Sequence, residues 1–115
     1  MANSRKAARA TEAAKPARMN RMQRALILKA LADPRRFELL QHIAKAGCPL
    51  GCSQALTALP ISAATLSHHI KELETAGLIA VRREGKFHYL SLRAGVLASL
   101  AAGLAALEPA ASNGR

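Results

Sequence analysis

Aromatic residues are scarce in this chain. Of its 115 residues only Phe37, Phe87 and Tyr89 are aromatic and none is tryptophan, so a core has to be assembled from Leu, Ile, Val and Ala and is thin for a domain of this size. Acidic side chains are also few, 7 Asp and Glu against 17 Lys and Arg. They are scattered, no Ser/His/Asp or Cys/His arrangement has supporting spacing, and no glycine loop is built to cradle phosphate, which argues against an enzyme. No apolar run is long enough to span a bilayer, and residues 1–24 lack the apolar stretch of a secretory signal, so the expected location is cytoplasmic. The first twenty residues also lack the bulky apolar anchors of a membrane-surface helix. With only Cys48 and Cys52, a disulfide framework is excluded.

What is present in excess is positive charge. The formal net charge of +10 makes a polyanion the first partner to consider, because phosphates neutralised by Lys and Arg release counterions. Residues 1–20 carry Arg5, Lys6, Arg9, Lys15 and Arg18 without apolar periodicity and read as a basic flexible arm. A first helix is expected over about 19–32 on the stripe Met22, Leu26, Ile27 and Leu31. Asp33-Pro34 opens a second over about 34–46, placing Phe37, Leu40 and Ile43 on one side, and Gly47 ends it. Cys48-Pro49-Leu50-Gly51-Cys52 reads as a loop or strained turn. Ser53 is the expected cap of a short third helix closed by Pro60, and Ser62 caps a fourth, about 62–76, that Gly77 terminates.

After Gly77 the period changes to that of strands. Leu78 to Arg82 and Phe87 to Leu92 form a hairpin with Glu84-Gly85 at its tip, so 61–92 has the layout of a winged DNA-reading unit. Around the fourth helix, at about 100° per residue, Leu66, Ile70 and Leu73 set the buried direction. Ala64, His68 and Lys71 point away from it, with Thr65 and Ser67 on opposite shoulders. Small residues at the amino end allow close approach to base edges, and Thr65, Ser67 and His68 offer hydrogen-bonding groups. Exposed amides at Ser62, Ala63 and Ala64 suit a phosphate. His69 lies nearer the buried side and is expected to satisfy a partner inside the domain. At the tip, Arg82, Arg83 and Lys86 are expected phosphate or minor-groove contacts, against the alternative of a merely solvated turn.

From Arg93 the chain returns to a helix on which Leu97, Leu100, Leu104 and Leu107 repeat, with no charge before Glu108. A helix apolar nearly all round needs cover. A homodimer seam formed with Leu26 of the first helix is expected, packing on the chain's own core being the alternative. The two cysteines stay open among packed thiols, a redox or electrophile sensor, and a soft-metal or metalloid site with His42 as a further ligand.

ALADPRRFELL at 30–40, ATLSHHIKELETAGLI at 64–79 and RREGKFHYLSL at 82–92, in this order and spacing, resemble the ArsR/SmtB family of winged-helix transcriptional repressors. The resemblance covers about residues 25–92. It implies a mainly α fold with a β-hairpin wing, five helices and a homodimer through the first and last helices. It further implies major-groove reading by Ser62, Thr65, Ser67 and His68 and release from the operator when an inducer binds; from the chain's own chemistry, the operator is expected to be a palindromic DNA duplex and modification of the Cys48 and Cys52 thiols a further route of release. The family's third-helix metal site takes two cysteines two apart; here LGCSQAL places Gly51 and Ser53 at the nearest equivalent positions. Its last-helix site needs Asp and His, which 93–107 lack, so no metal is carried over with the resemblance. The expected organisation is a basic arm at 1–20, a DNA-binding and dimerisation domain at 21–108 and a disordered tail at 109–115. The competing reading is a basic architectural or RNA-binding protein without base selectivity.

Overall fold

The computed structural model describes residues 19–47 and 49–109. Most of the basic arm, Cys48 and the tail beyond Pro109 lie outside the described residues. The chain divides into two compact units, Arg21–Arg93 and a second made of Met1–Asn20 with Ala94–Arg115.

Within Arg21–Arg93 the order is α1 (Arg21–Leu31), α2 (Pro34–Ala46), β1 (Leu50–Gly51), α3 (Cys52–Ala58), α4 (Ala63–Thr75), β2 (Ile79–Glu84) and β3 (Phe87–Leu92). The helix ends follow local chemistry. Asp33 caps α2 by accepting the amides of Arg35 at 2.9 Å and Arg36 at 3.3 Å, and Gly47 leaves the helix in the left-handed conformation at φ +68°. At the end of α4, Gly77 takes φ +82° while its amide donates to the Glu74 carbonyl and Leu78 donates to Leu73, both at 3.0 Å. This pair of bonds satisfies the last carbonyls of the helix and turns the chain directly into β2.

The sheet has three antiparallel strands in the order β1-β3-β2. Val81 faces Leu90, Arg83 faces His88 and Glu84 faces Phe87 across the hairpin. Contrary to the sequence expectation, 48–52 is not wholly a loop. Leu50 and Gly51 pair with Leu90 and Tyr89, a strand too short to show any periodicity. Gly51 is buried there, and a Cβ on it would stand 3.3 Å from Gln54 Oε1, which would have to give by a few tenths of an ångström, and in ordinary contact with the Tyr89 ring at 3.9 Å. The cap of α3 is also different from the one expected. Gly51, not Ser53, precedes the helix, and its amide donates to the Gln54 side chain at 2.9 Å.

The core is aliphatic, with Ile27, Leu39, Leu73, Leu78, Ile79 and Leu90 its largest fully buried side chains. Phe37 is 45% exposed, so the aromatic expected inside lies outside. The buried face of α2 is Arg36, Leu39, Leu40 and Ile43, rotated toward a charged residue that the apolar pattern did not include. On α1 the expected stripe splits: Ile27 is buried and Leu31 half-buried, whereas Met22 and Leu26 are exposed, and Ala30, outside the stripe, is buried as well. In the second unit, α5 (Val96–Ala105) begins after Gly95 at φ +84°. Leu100 is buried, and Leu97, Leu104 and Leu107 are exposed at 39, 45 and 80%.

Candidate nucleic-acid interface

The face of α4 divides as the wheel requires. Leu66, His69 and Leu73 are buried, while Ser62, Ala63, Ala64, Thr65, Ser67, His68 and Lys71 are exposed. Ser62 holds the start of the helix together. Its oxygen accepts the Thr65 amide at 3.1 Å and its hydroxyl donates to Thr65 Oγ1 at 3.0 Å. The remaining first-turn amides point out of the helix end, where the macrodipole favours an anion.

Three arginines are tied to acids, and two of these ties fix α4. Arg36 reaches from α2 to Asp33 at 3.4 Å and to Glu72 of α4 at 3.9 Å with its side chain only 10% exposed. Its buried Nε has no hydrogen-bond partner among the described residues. Arg83 of β2 donates from Nη2 and Nη1 to the two carboxylate oxygens of Glu74 at 3.1 and 3.4 Å, clamping the hairpin to the last turn of α4. Arg82 lies on the outer face of the hairpin, paired with Glu84 at 3.1 Å and stacked 4.7 Å over the Tyr89 ring. Of the three cations expected to meet phosphate at the tip, Lys86 is the one without an ion pair to a described residue. Glu72 and Glu74 were missed as parts of this site; the only signal was their presence on a helix of a chain so poor in acid.

His69 is buried as expected, but its Nδ1 atom lacks the interior partner that was anticipated. Burial pushes its imidazole below the usual 6.5, opposed by the nearby Asp33 carboxylate and reinforced by Arg36. The Asp33 carboxyl is held low: desolvation works against this, and the amides of Arg36 and Arg35 outweigh it. Cys52 lies half-buried at the start of α3, in a cleft of about 450 Å³ that also takes in Ser67 and Lys71 of α4 and Arg83 of the hairpin. Burial pushes its thiol up, with Arg83 pulling partly the other way. Among the described residues no group of three or more His, Cys, Asp or Glu is placed to hold a metal ion, and no helix is long and apolar enough to cross a membrane.

A short helix, a tight turn, a capped polar-faced helix and a basic hairpin clamped to it have the layout of a winged helix-turn-helix. Residues 31–82 match the model of a family described as "Helix-turn-helix domain". The uncharacterised HTH-type transcriptional regulator YceK of Bacillus subtilis is 37% identical over 70 residues, 61% of this chain and 70% of that protein. The homodimeric winged helix-turn-helix DNA-binding domain Mb0332 of Mycobacterium bovis, described as a possible ArsR-family transcriptional regulator, superposes with a TM-score of 0.58 at 27% identity, covering 74% of this chain and 76% of that one. This chain belongs to the ArsR family of helix-turn-helix transcriptional regulators. The ArsR fold itself is seen again in the family regulator RHA00566, with a TM-score of 0.70, 23% identity and coverage of 79% of this chain and 92% of that one. As an ArsR-type regulator the chain is a DNA-binding protein. The matched segment runs from the last residue of α1 through the capped helix and into the clamped strand.

Proposed function

We propose that the chain is a sequence-specific repressor that binds a palindromic DNA duplex as a homodimer. The observation that carries the reading is the exposed face of α4, polar and small from Ala63 to Lys71, carried on a helix held by Ser62 at its start, Arg36 along its side and Arg83 at its end. A charge of +10 favours any polyanion; a shaped helix face fixed from three directions favours one that reads bases. The homodimeric Mycobacterium bovis domain supports pairing, and exposed Leu26, Leu97, Leu104 and Leu107 offer apolar surface for it.

Release follows modification of Cys52. Anything attached to that thiol shares its cleft with Ser67, Lys71 and Arg83, so it competes with DNA for the same side chains. The raised thiol pKa makes the attack slow at neutral pH, because the thiolate is the nucleophile; strong electrophiles, or disulfide formation with Cys48, are the fitting triggers. The test is fluorescence anisotropy on the duplex upstream of the gene, with random duplex as competitor. Thr65→Ala and His68→Ala weaken the preferred duplex by about 1 to 3 kcal/mol and leave random DNA nearly unchanged. Equal losses on both would support the architectural reading instead. A Cys52→Ser variant keeps its DNA under diamide; one that lets go as the parent does places the trigger elsewhere.

A further inference from the structure

The reading face of α4 is poor in the groups that recognise bases by paired hydrogen bonds. Guanine is read by Arg or Lys, adenine by Asn or Gln, and cytosine by Asp or Glu, whereas Ser and Thr bond to either kind of group and so discriminate little. From residue 63 to 68 the exposed side chains are Ala63, Ala64, Thr65, Ser67 and His68, none of them from the discriminating set. Two hydroxyls at the helix start are also engaged with each other. The hydroxyl hydrogen of Ser62 goes to Thr65 Oγ1 and its oxygen already takes the Thr65 amide, so Ser62 has no donor left for a base.

What this end of the helix presents instead is hydrocarbon. Ala64 lies on the side of α4 opposite Leu66 and Leu73 and is exposed. Thr65, next to it, accepts the Ser62 hydroxyl with its Oγ1, and its methyl adds a second exposed apolar group beside that of Ala64. In the major groove the C5-methyl of thymine is the one apolar feature on a base-pair edge, and Ala and Thr methyls are the side-chain groups that fit it. Short side chains at 63 and 64 also let the backbone come close enough for such a contact.

We infer that the chain selects its DNA through thymine 5-methyl groups, packed against the methyls of Ala64 and Thr65 in each half-site. The inference rests on α4 being the groove-facing helix. Lys71, two turns further along, then serves guanine or phosphate beside the hydrogen-bonding groups of Ser67 and His68, and discrimination at the very start of the helix falls on thymine.

The experiment begins with selection of preferred duplexes from a random pool by the full chain. Each thymidine of the selected site is then replaced in turn by deoxyuridine, which pairs identically and lacks only the methyl. Anisotropy is expected to show a loss of about threefold to fivefold at one or two positions per half-site, the worth of one buried methyl group. Thr65→Ser, which keeps the hydroxyl facing Ser62, is expected to abolish that penalty at one position, whereas Thr65→Val retains it. Uracil duplexes that bind as tightly as the thymine duplex at every position, with the base preference intact, overturn the methyl contacts and leave the repressor reading standing. A pool from which no duplex outcompetes random DNA by more than about tenfold overturns both. The uracil comparison uses the parent chain throughout, so it is independent of how any variant folds.

Discussion

Replacement of Ser62 separates what the start of α4 does for the fold from what it does for DNA. Ser62 accepts the Thr65 amide at 3.1 Å and donates to the Thr65 hydroxyl at 3.0 Å. Ser62→Ala removes both, and loss of a helix cap costs about 1 kcal/mol of stability, read as a lower urea midpoint. Ser62→Asp restores an acceptor at the same place and adds a charge that the helix dipole favours, so its midpoint is expected to return to within about 0.5 kcal/mol of the parent. Its effect on DNA is the opposite. Two unit charges at about 8 Å, with an effective dielectric constant of about 20, repel by about 2 kcal/mol, which corresponds to a roughly thirtyfold weaker complex. Stability and affinity therefore move in different directions in the two variants, the alanine chiefly unfolding and the aspartate chiefly releasing DNA. The assays are urea denaturation followed by circular dichroism, and anisotropy on a labelled duplex at fixed salt. A Ser62→Asp protein that is as stable as the parent and binds DNA equally tightly would remove this helix end from the phosphate backbone and refute the docking.

Three further outcomes follow from the charged and apolar contacts. Arg83→Ala breaks a half-exposed pair with Glu74, so stability falls by only about 0.5 kcal/mol; Glu74→Gln frees Arg83 for phosphate and is expected to steepen the salt dependence of binding by about one unit, a slope that stays flat if the clamp never opens. A neutral His69 in the fold, against one that takes a proton near 6.5 in the unfolded chain, gives stability that is full above that pH and lost as pH falls toward the lowered folded value. Urea midpoints of His69→Leu at about pH 7.5 and about pH 5.5 should differ less than those of the parent, and equal differences would show that His69 carries none of the slope. Leu104→Glu is expected to give folded monomers in sedimentation, because Leu104 is 45% exposed, with a urea midpoint lowered only by the lost pairing and no longer dependent on protein concentration, whereas Leu100→Glu unfolds the chain because Leu100 is buried; a Leu104→Glu dimer would move the seam away from this helix.

The parts of the fold that were legible in the sequence are those where one residue type decides the local backbone. Asp33 before Pro34, Ser62 before the two alanines, and the glycines at 47, 77 and 85 each fix a helix end or a turn, and the structure has them there. Strand β1 was not legible because two residues show no period, and its strand character comes entirely from Leu90 and Tyr89 across from it. The cap of α3 could have been found: Gln54 stands three residues after Gly51, the spacing of a side chain that reaches back to the helix start. Arg36 could not, since an apolar wheel assigns a cation to water, and only the tertiary meeting of Asp33 and Glu72 keeps it inside. For the site, the wheel separated His68 from His69 correctly in exposure. It carried no information on whether Arg82 and Arg83 are free: Glu84 lies two residues along the same strand from Arg82, while the Tyr89 stack and the Glu74 clamp depend on strand register and on where the last turn of α4 meets the hairpin.

The ties on α4 also set the terms on which its specificity can be rewritten. Positions 64, 65, 67, 68 and 71 carry exposed side chains, so they form a small alphabet open to randomisation in a library. Positions 69, 72 and 74 lie on the same helix but belong to the scaffold, through burial, Arg36 and Arg83 respectively. A transplanted helix lacking acids at 72 and 74 would leave Arg83 without its carboxylate and the buried Arg36 with Asp33 alone. Grafting these five letters while keeping 69, 72, 74 and the buried Leu66 and Leu73 fixed gives altered operators on an intact fold, and the helix is accordingly a cassette with a defined frame.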